Sequence, residues 1–157
     1  MSKFTKEKLQ QMLDMQLSFN VRINPEWKTV GYAYCDAIWT EAAEAFNHTA
    51  WEWWKNSTHT PDINQIKMEL VDIWHFVMSE LMTHEAVEEM NYINFVELID
   101  TEVNSLGLDS MVFEIKHVGE AFKNIIRSAM LSRTEDRIGS IISTFIQAMR
   151  VFKNGLG

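Results

Sequence analysis

The amino-acid sequence predicts an all-α protein, a single-domain helical bundle of about six helices. Only six Gly and two Pro interrupt its 157 residues, which favours long helices over a sheet with many turns. The apolar fraction of 46% is enough for one buried core, and no repeat or long linker divides the chain. We therefore expect one domain spanning residues 1–157.

The first three helices follow from apolar spacing and helix-end signals. Helix 1 is predicted over 5–22, and Asn24-Pro25 ends it because the residue before proline avoids helical angles. Helix 2 is predicted over 28–56, followed by a polar loop. Helix 3 is predicted to start with Thr60 as N-cap and Pro61 in the first helical position, and to run to about residue 82.

The later helices are predicted over 85–104, over 110–132 and from Thr134 onward. Gly107 separates the first two, and Asp109 or Ser110 is expected to cap the second.

Net charge, cysteine content and the N-terminal residues indicate which partners and which compartment to expect. A formal charge of −8 makes nucleic acid a poor partner, although bound cations would still permit phosphate ligands. The single cysteine, Cys35, is expected to pack in the interior of a protein from a reducing compartment. The first residues contain no secretory signal and no apolar run is long enough for a bilayer, so we expect a soluble cytoplasmic protein without a membrane partner.

Four carboxylates are the main candidate for chemistry. Glu41 and Glu44 lie three residues apart on one predicted helix, and Glu69 and Asp72 lie three apart on the next. Such pairs share a helix face, so antiparallel packing would bring all four together as hard oxygen ligands for Mg²⁺ or Mn²⁺. A solvated acidic face is the simpler alternative. The close interleaving with apolar residues, and the scarcity of nearby basic residues, favour metal binding.

A tryptophan-rich segment follows the first carboxylate pair. Three of the six Trp residues fall at positions 51, 53 and 54, and Lys55 comes next. Neighbours on a helix point in different directions, so the three rings are not expected to share one core face. One Trp could stack on a base while Lys55 meets a phosphate.

Further polar side chains lie one turn apart near these elements. Gln16 and Asn20 share a face of the first helix, and amides can read a pyrimidine edge because each offers a donor and an acceptor. His75 and Phe76 lie just beyond Asp72, at the edge of the expected metal site. A buried histidine that bonds a backbone carbonyl is the alternative for His75.

Glu41-Ala-Ala-Glu44, followed after a gap of 24 residues by Glu69-Leu-Val-Asp72, resembles the E-x-x-E…E-x-x-D signature of all-α NTP pyrophosphatases, which include MazG-like proteins. Segments 12–20, 51–55 and 69–76 resemble the dimeric dUTPase and dCTPase–dUTPase branch. That branch is familiar from bacteriophages, trypanosomatids and some bacteria. The resemblance covers about residues 9–82.

The resemblance implies an all-α homodimer that acts on a deoxynucleoside triphosphate, in the host cytoplasm if phage-encoded. The four acidic residues would hold the Mg²⁺ ions that bridge the triphosphate, and a metal-activated water would attack. By the same resemblance, Gln16 and Asn20 would contact the pyrimidine edge and Trp53 would form a wall of the base pocket. His75 and Phe76 would pack near the sugar.

The C-terminal end departs from this family pattern. The family usually ends in a Lys-Asn-x-x-Asn-x-x-Arg-Gln segment that grips phosphates. Here Lys153 and Asn154 resemble its beginning, after which the sequence stops, so the segment is expected to be truncated or lost.

Three alternatives remain open at this point. One is a MazG-like pyrophosphatase that prefers dCTP or a purine deoxynucleotide. Another is a ferritin-like di-iron bundle, since Asp72-x-x-His75 and Glu114-x-x-His117 approach its ligand motif. The third is a non-enzymatic helical interaction protein.

Overall fold

The computed structural model describes residues 6–55, 58–83, 115–131 and 143. These residues contain four helices and no strand: α1 (Lys6–Ile23), α2 (Tyr34–Asn47), α3 (Ile63–Met82) and α4 (Ile115–Leu131). The all-α prediction is confirmed. The helix predicted over 85–104 lies outside the described residues. Of the helix predicted from Thr134 onward, the structure describes Ser143 alone, and this residue is helical.

A turn separates α1 from α2. Helix α1 ends before Asn24 and Pro25, as predicted. The Asn24 carbonyl accepts a hydrogen bond from the N–H of Trp27 at 3.0 Å, and Trp27 is buried. Gly31 adopts a φ of 74°, a left-handed conformation that is accessible to glycine and does not occur within a right-handed α-helix. The predicted start of helix 2 near residue 28 was therefore wrong, because α2 begins at Tyr34.

The end of α2 also differs from the prediction, which extended this helix to residue 56. The Thr49 hydroxyl donates to the Phe46 carbonyl at 2.7 Å, and Ala50 has a φ of 57°. The positive φ of Ala50 is incompatible with continued helix. The tryptophan-rich segment 51–55 consequently lies in a loop. Trp51 folds back onto α2 and stacks on Phe46, with 4.9 Å between the ring centroids.

Helix α3 begins later than predicted. Its N-cap is Asp62, whose carboxylate accepts hydrogen bonds from the N–H groups of Asn64 and Gln65, each at 3.1 Å. Thr60 and Pro61 lie before the helix, so the predicted capping by Thr60 was wrong. The carboxylate of Asp62 satisfies two of the N–H groups that a helix start leaves without partners.

Helices α2 and α3 pack antiparallel. At one end the N–H of Asp62 donates to the His48 carbonyl at 3.0 Å, and at the other the rings of Tyr34 and Phe76 lie 6.4 Å apart. Helix α4 packs on α2, and α1 packs on α3. None of the described helices combines the length and apolar character that crossing a membrane requires.

The buried core draws on all four helices. Its largest fully buried side chains are Leu9, Leu13, Ile38, Ile66, Leu70, Ile73, Met78, Leu81 and Phe122. At the contact between α4 and α2, Gly119 faces the Phe46 ring, and a Cβ at this position would lie 3.4 Å from it. This is an ordinary van der Waals distance, so a Cβ at position 119 would contact the ring without displacing it.

Candidate active site

The antiparallel packing of α2 and α3 brings three carboxylates together. Glu41 lies on α2, while Glu69 and Asp72 lie one turn apart on α3. One oxygen from each of the three lies within 4.8 Å of the others. Glu41 and Glu69 are half-buried, and Asp72 is exposed. The cluster contains three of the four carboxylates whose convergence the spacing of the two pairs predicts.

The electrostatics of the cluster favour a cation. Burial, a hydrogen bond with Glu69, and the charges of Glu44, Glu69 and Asp72 together raise the pKa of Glu41 to about 7. Each of these effects disfavours the charged carboxylate in the absence of a counter-charge. Hard carboxylate oxygens are the ligands that Mg²⁺ takes in proteins, so these residues fit a divalent metal ion.

Glu44 lies outside this group of three. Its side chain is exposed on α2, one turn from Glu41, and its charge still acts on that residue. Glu44 lines an open pocket of about 540 Å³ along one face of α2, together with Trp39, Thr40, Ala43, Asn47 and His48. His48 links the pocket to the cluster, since its Nε2 lies 3.7 Å from a Glu69 oxygen.

Gln16 and Asn20 meet α3 at a buried polar cluster. Both side chains are buried on α1, and the Gln16 amide donates to Asn20 Oδ1 at 2.8 Å. Each amide also donates to the Ser79 hydroxyl, at 3.1 Å from Gln16 and 3.0 Å from Asn20. Gln16 Oε1 lies 2.5 Å from His75 Nδ1. Three of the side chains predicted to bind substrate therefore form one hydrogen-bonded network.

The other predicted substrate contacts are more dispersed. Trp53 is 86% exposed and packs against Trp54, with 5.6 Å between the ring centroids. Lys55 is exposed and forms an ion pair with Glu52. Phe76 is half-buried beside Tyr34.

Some residues named in the sequence predictions lie outside the described part of the chain. These are Lys153 and Asn154 of the predicted phosphate contact, and Glu114 together with the side chain of His117 from the di-iron alternative.

Comparison with known families identifies the class of enzyme. A family model described as dUTPase matches residues 8–154, which span the carboxylate cluster, the amide network and the tryptophan-rich loop. The chain belongs to the all-α dUTPase family. It is therefore a nucleotide pyrophosphohydrolase of the dUTP diphosphatase type. A search of curated proteins found no match.

Two residues of this dUTPase-family site were missed by sequence reasoning. His48 follows Glu44 by four residues, and this spacing could have placed it on the same face of the chain as the acidic pair. Ser79 follows His75 by four residues and is buried in α3. Its contact with α1 could not be foreseen from sequence, because it depends on how α1 and α3 are rotated against each other.

Proposed function

We propose that this chain hydrolyses dUTP to dUMP and pyrophosphate with Mg²⁺ as cofactor and Mn²⁺ as a substitute. Membership of the dUTPase family supports the reaction class. The observation that carries the metal dependence is the convergence of the Glu41, Glu69 and Asp72 oxygens within 4.8 Å. Glu44 is proposed as the fourth ligand because its charge already acts on Glu41.

Glu41, Glu44, Glu69 and Asp72 would hold the metal ion. When bound, Mg²⁺ would neutralise charge at the phosphates and lower the pKa of the attacking water molecule. The side chains themselves provide position and negative charge, which is what phosphoryl chemistry mainly requires of a protein. We propose no side-chain nucleophile, and Cys35 is buried.

The amide network and the exposed ring of Trp53 are proposed to recognise the base. Gln16 and Asn20 offer amide groups one helix turn apart, and Trp53 offers an aromatic face that solvent already reaches. We propose that His75 and Phe76 contact the sugar, where a ribose 2′-hydroxyl is refused. Lys55 is proposed to contact a phosphate.

Lys153 and Asn154 complete the proposed phosphate contacts. A homodimer in the cytoplasm remains a further prediction from the family resemblance, and sedimentation velocity of the purified protein tests its oligomeric state.

A panel of deoxynucleoside triphosphates tests the proposed substrate. Incubation with each of dUTP, dCTP, dTTP, dATP and dGTP plus Mg²⁺, followed by separation of the products, should give dUMP and pyrophosphate from dUTP. We expect dCTP or dUDP to be secondary substrates. Asp72→Asn should abolish the hydrolysis. A preference for a purine triphosphate of about tenfold or more in kcat/KM would contradict the pyrimidine assignment and favour another MazG-like activity.

A further inference from the structure

We propose that Ser79 is a positioning residue that fixes the amide orientations of Gln16 and Asn20, and through Gln16 the tautomer of His75. By this route Ser79 sets the preference between pyrimidine bases. The inference rests on the proposed function in one respect, namely that Gln16 and Asn20 face the base.

The hydroxyl of Ser79 has no hydrogen-bonding capacity left for a ligand. The residue is 1% exposed, at the contact between α3 and α1. A hydroxyl offers one proton and two lone pairs. Ser79 Oγ lies 3.0 Å from the His75 carbonyl, which can only accept, so the proton goes there. Its lone pairs then accept from Gln16 Nε2 at 3.1 Å and Asn20 Nδ2 at 3.0 Å.

This arrangement selects one orientation for each amide. If the nitrogen and oxygen of both amides were exchanged, the Ser79 oxygen would face three acceptors with a single proton. Two of those contacts would lose their hydrogen bonds in a buried site, where unmade bonds are costly. Asn20 Oδ1 is a second acceptor for the proton, but at 3.4 Å it is more distant than the His75 carbonyl.

The orientation of the Gln16 amide determines the tautomer of His75. With both Gln16 N–H groups donating to Asn20 and Ser79, its Oε1 faces His75 Nδ1 at 2.5 Å. An oxygen can only accept, so the neutral ring must carry its proton on Nδ1. His75 Nε2 is then the ring nitrogen with a lone pair to offer. A reversed Gln16 would require the opposite tautomer.

Gln16 Oε1 keeps one lone pair beyond its contact with His75, and of the two amides only Asn20 keeps both a donor and an acceptor for a base. Its amide keeps one N–H group and one oxygen lone pair beyond the bonds to Ser79 and Gln16. Uracil presents an acceptor at O4 beside a donor at N3, whereas cytosine presents a donor at N4 beside an acceptor at N3. For one placement of the base, the two pyrimidines need opposite amide orientations. A fixed amide therefore discriminates between them, because the wrong base leaves buried polar groups without partners.

Removing the hydroxyl tests this role. Ser79→Ala should lower the ratio of kcat/KM for dUTP to that for dCTP by about three- to tenfold, the size of one hydrogen bond, mainly through KM. Ser18→Ala is the matched control. Its hydroxyl likewise donates to a carbonyl four residues earlier, that of Asp14 at 2.9 Å, but is exposed on α1. The control should keep the wild-type ratio, and Ser79→Thr, which retains the hydroxyl, should restore it.

An unchanged ratio in a folded Ser79→Ala variant would overturn the proposal. So would a wild-type enzyme that cleaves dUTP and dCTP equally well.

A second measurement is independent of activity. Nitrogen-15 NMR shifts of the His75 ring, recorded on the ligand-free chain at alkaline pH, should show the Nδ1–H tautomer in the wild type and a mixture in Ser79→Ala. A predominant Nε2–H tautomer in the wild type would overturn the proposal even if the variant failed to fold. Absence of hydrolysis with every nucleotide would instead refute the proposed function, while the NMR result would still decide whether Ser79 fixes the tautomer of His75.

Discussion

Glu41 is surrounded by groups that favour its protonated form. The spacing of Glu41 from Glu44 and of Glu69 from Asp72 was enough to predict convergence across two helices. The spacing could not tell which carboxylates lie closest, because that depends on helix rotation. The structure groups Glu41 with Glu69 and Asp72 and leaves Glu44 exposed beside them.

The stability of the metal-free protein should depend on the protonation of Glu41. Its pKa is raised from 4.5 to about 7 on folding, so the folded protein binds more protons than the unfolded chain between these values. The stabilisation is complete below the lower value and is lost as the pH rises through the upper one. Melting curves in EDTA should therefore show wild type losing stability relative to Glu41→Gln as the pH rises from 4.5 to above 7. A constant difference between the two proteins across this range would refute the assigned shift.

Trp53 is so exposed that truncating its side chain should not destabilise the fold. With 86% of the residue exposed, Trp53→Ala should change the free energy of unfolding by less than about 0.5 kcal/mol. If the ring stacks on the base, the same change should weaken binding of a non-hydrolysable dUTP analogue by about 1–3 kcal/mol. Calorimetric titration measures this loss, and Trp53→Phe should recover part of it. Unaltered affinity in Trp53→Ala would exclude stacking.

At the scale of helices, local sequence predicted α1 and the end of α3 but not the limits of α2. Apolar spacing continues through residues 28–56, yet the chain leaves the helix on both sides of α2. The causes are tertiary contacts and backbone angles: the buried Trp27, the left-handed Gly31, and the stacking of Trp51 on Phe46. None of these is encoded in helical periodicity.

The N-cap of α3 can be tested by mutation. Thr60 and Asp62 are both residue types that cap helices, so sequence alone could not choose between them. Because Asp62 accepts two backbone N–H bonds, Asp62→Ala should destabilise the protein by about 1 kcal/mol. Thr60 lies outside the helix, and Thr60→Ala should have an effect below about 0.5 kcal/mol. Urea unfolding of both variants measures the difference, and a larger loss for Thr60→Ala would contradict the assigned cap.

For the whole molecule, composition was sufficient to predict the all-α class. The family was predicted from the resemblance of the carboxylate signature and of segments 12–20, 51–55 and 69–76 to known dUTPases. The buried network between α1 and α3 was predicted only in part. Gln16, Asn20 and His75 were individually recognisable, but His75 and Ser79 lie 59 and 63 residues from Gln16 in sequence. Their contact follows from the packing of α1 against α3. The same packing places the carboxylates of α2 opposite those of α3.

In the proposed function, these carboxylates bind the catalytic metal. Thermal melts of wild type and Asp72→Asn, with and without Mg²⁺, test it most directly. Asp14→Asn, an equivalent change of an exposed carboxylate on α1, is the control. A metal that binds only the folded state adds about 2.7 kcal/mol at a hundredfold excess over its Kd. Wild type and Asp14→Asn should therefore gain melting temperature with Mg²⁺, and Asp72→Asn should lose most of that gain. Equal Mg²⁺ shifts in all three proteins would contradict the assignment.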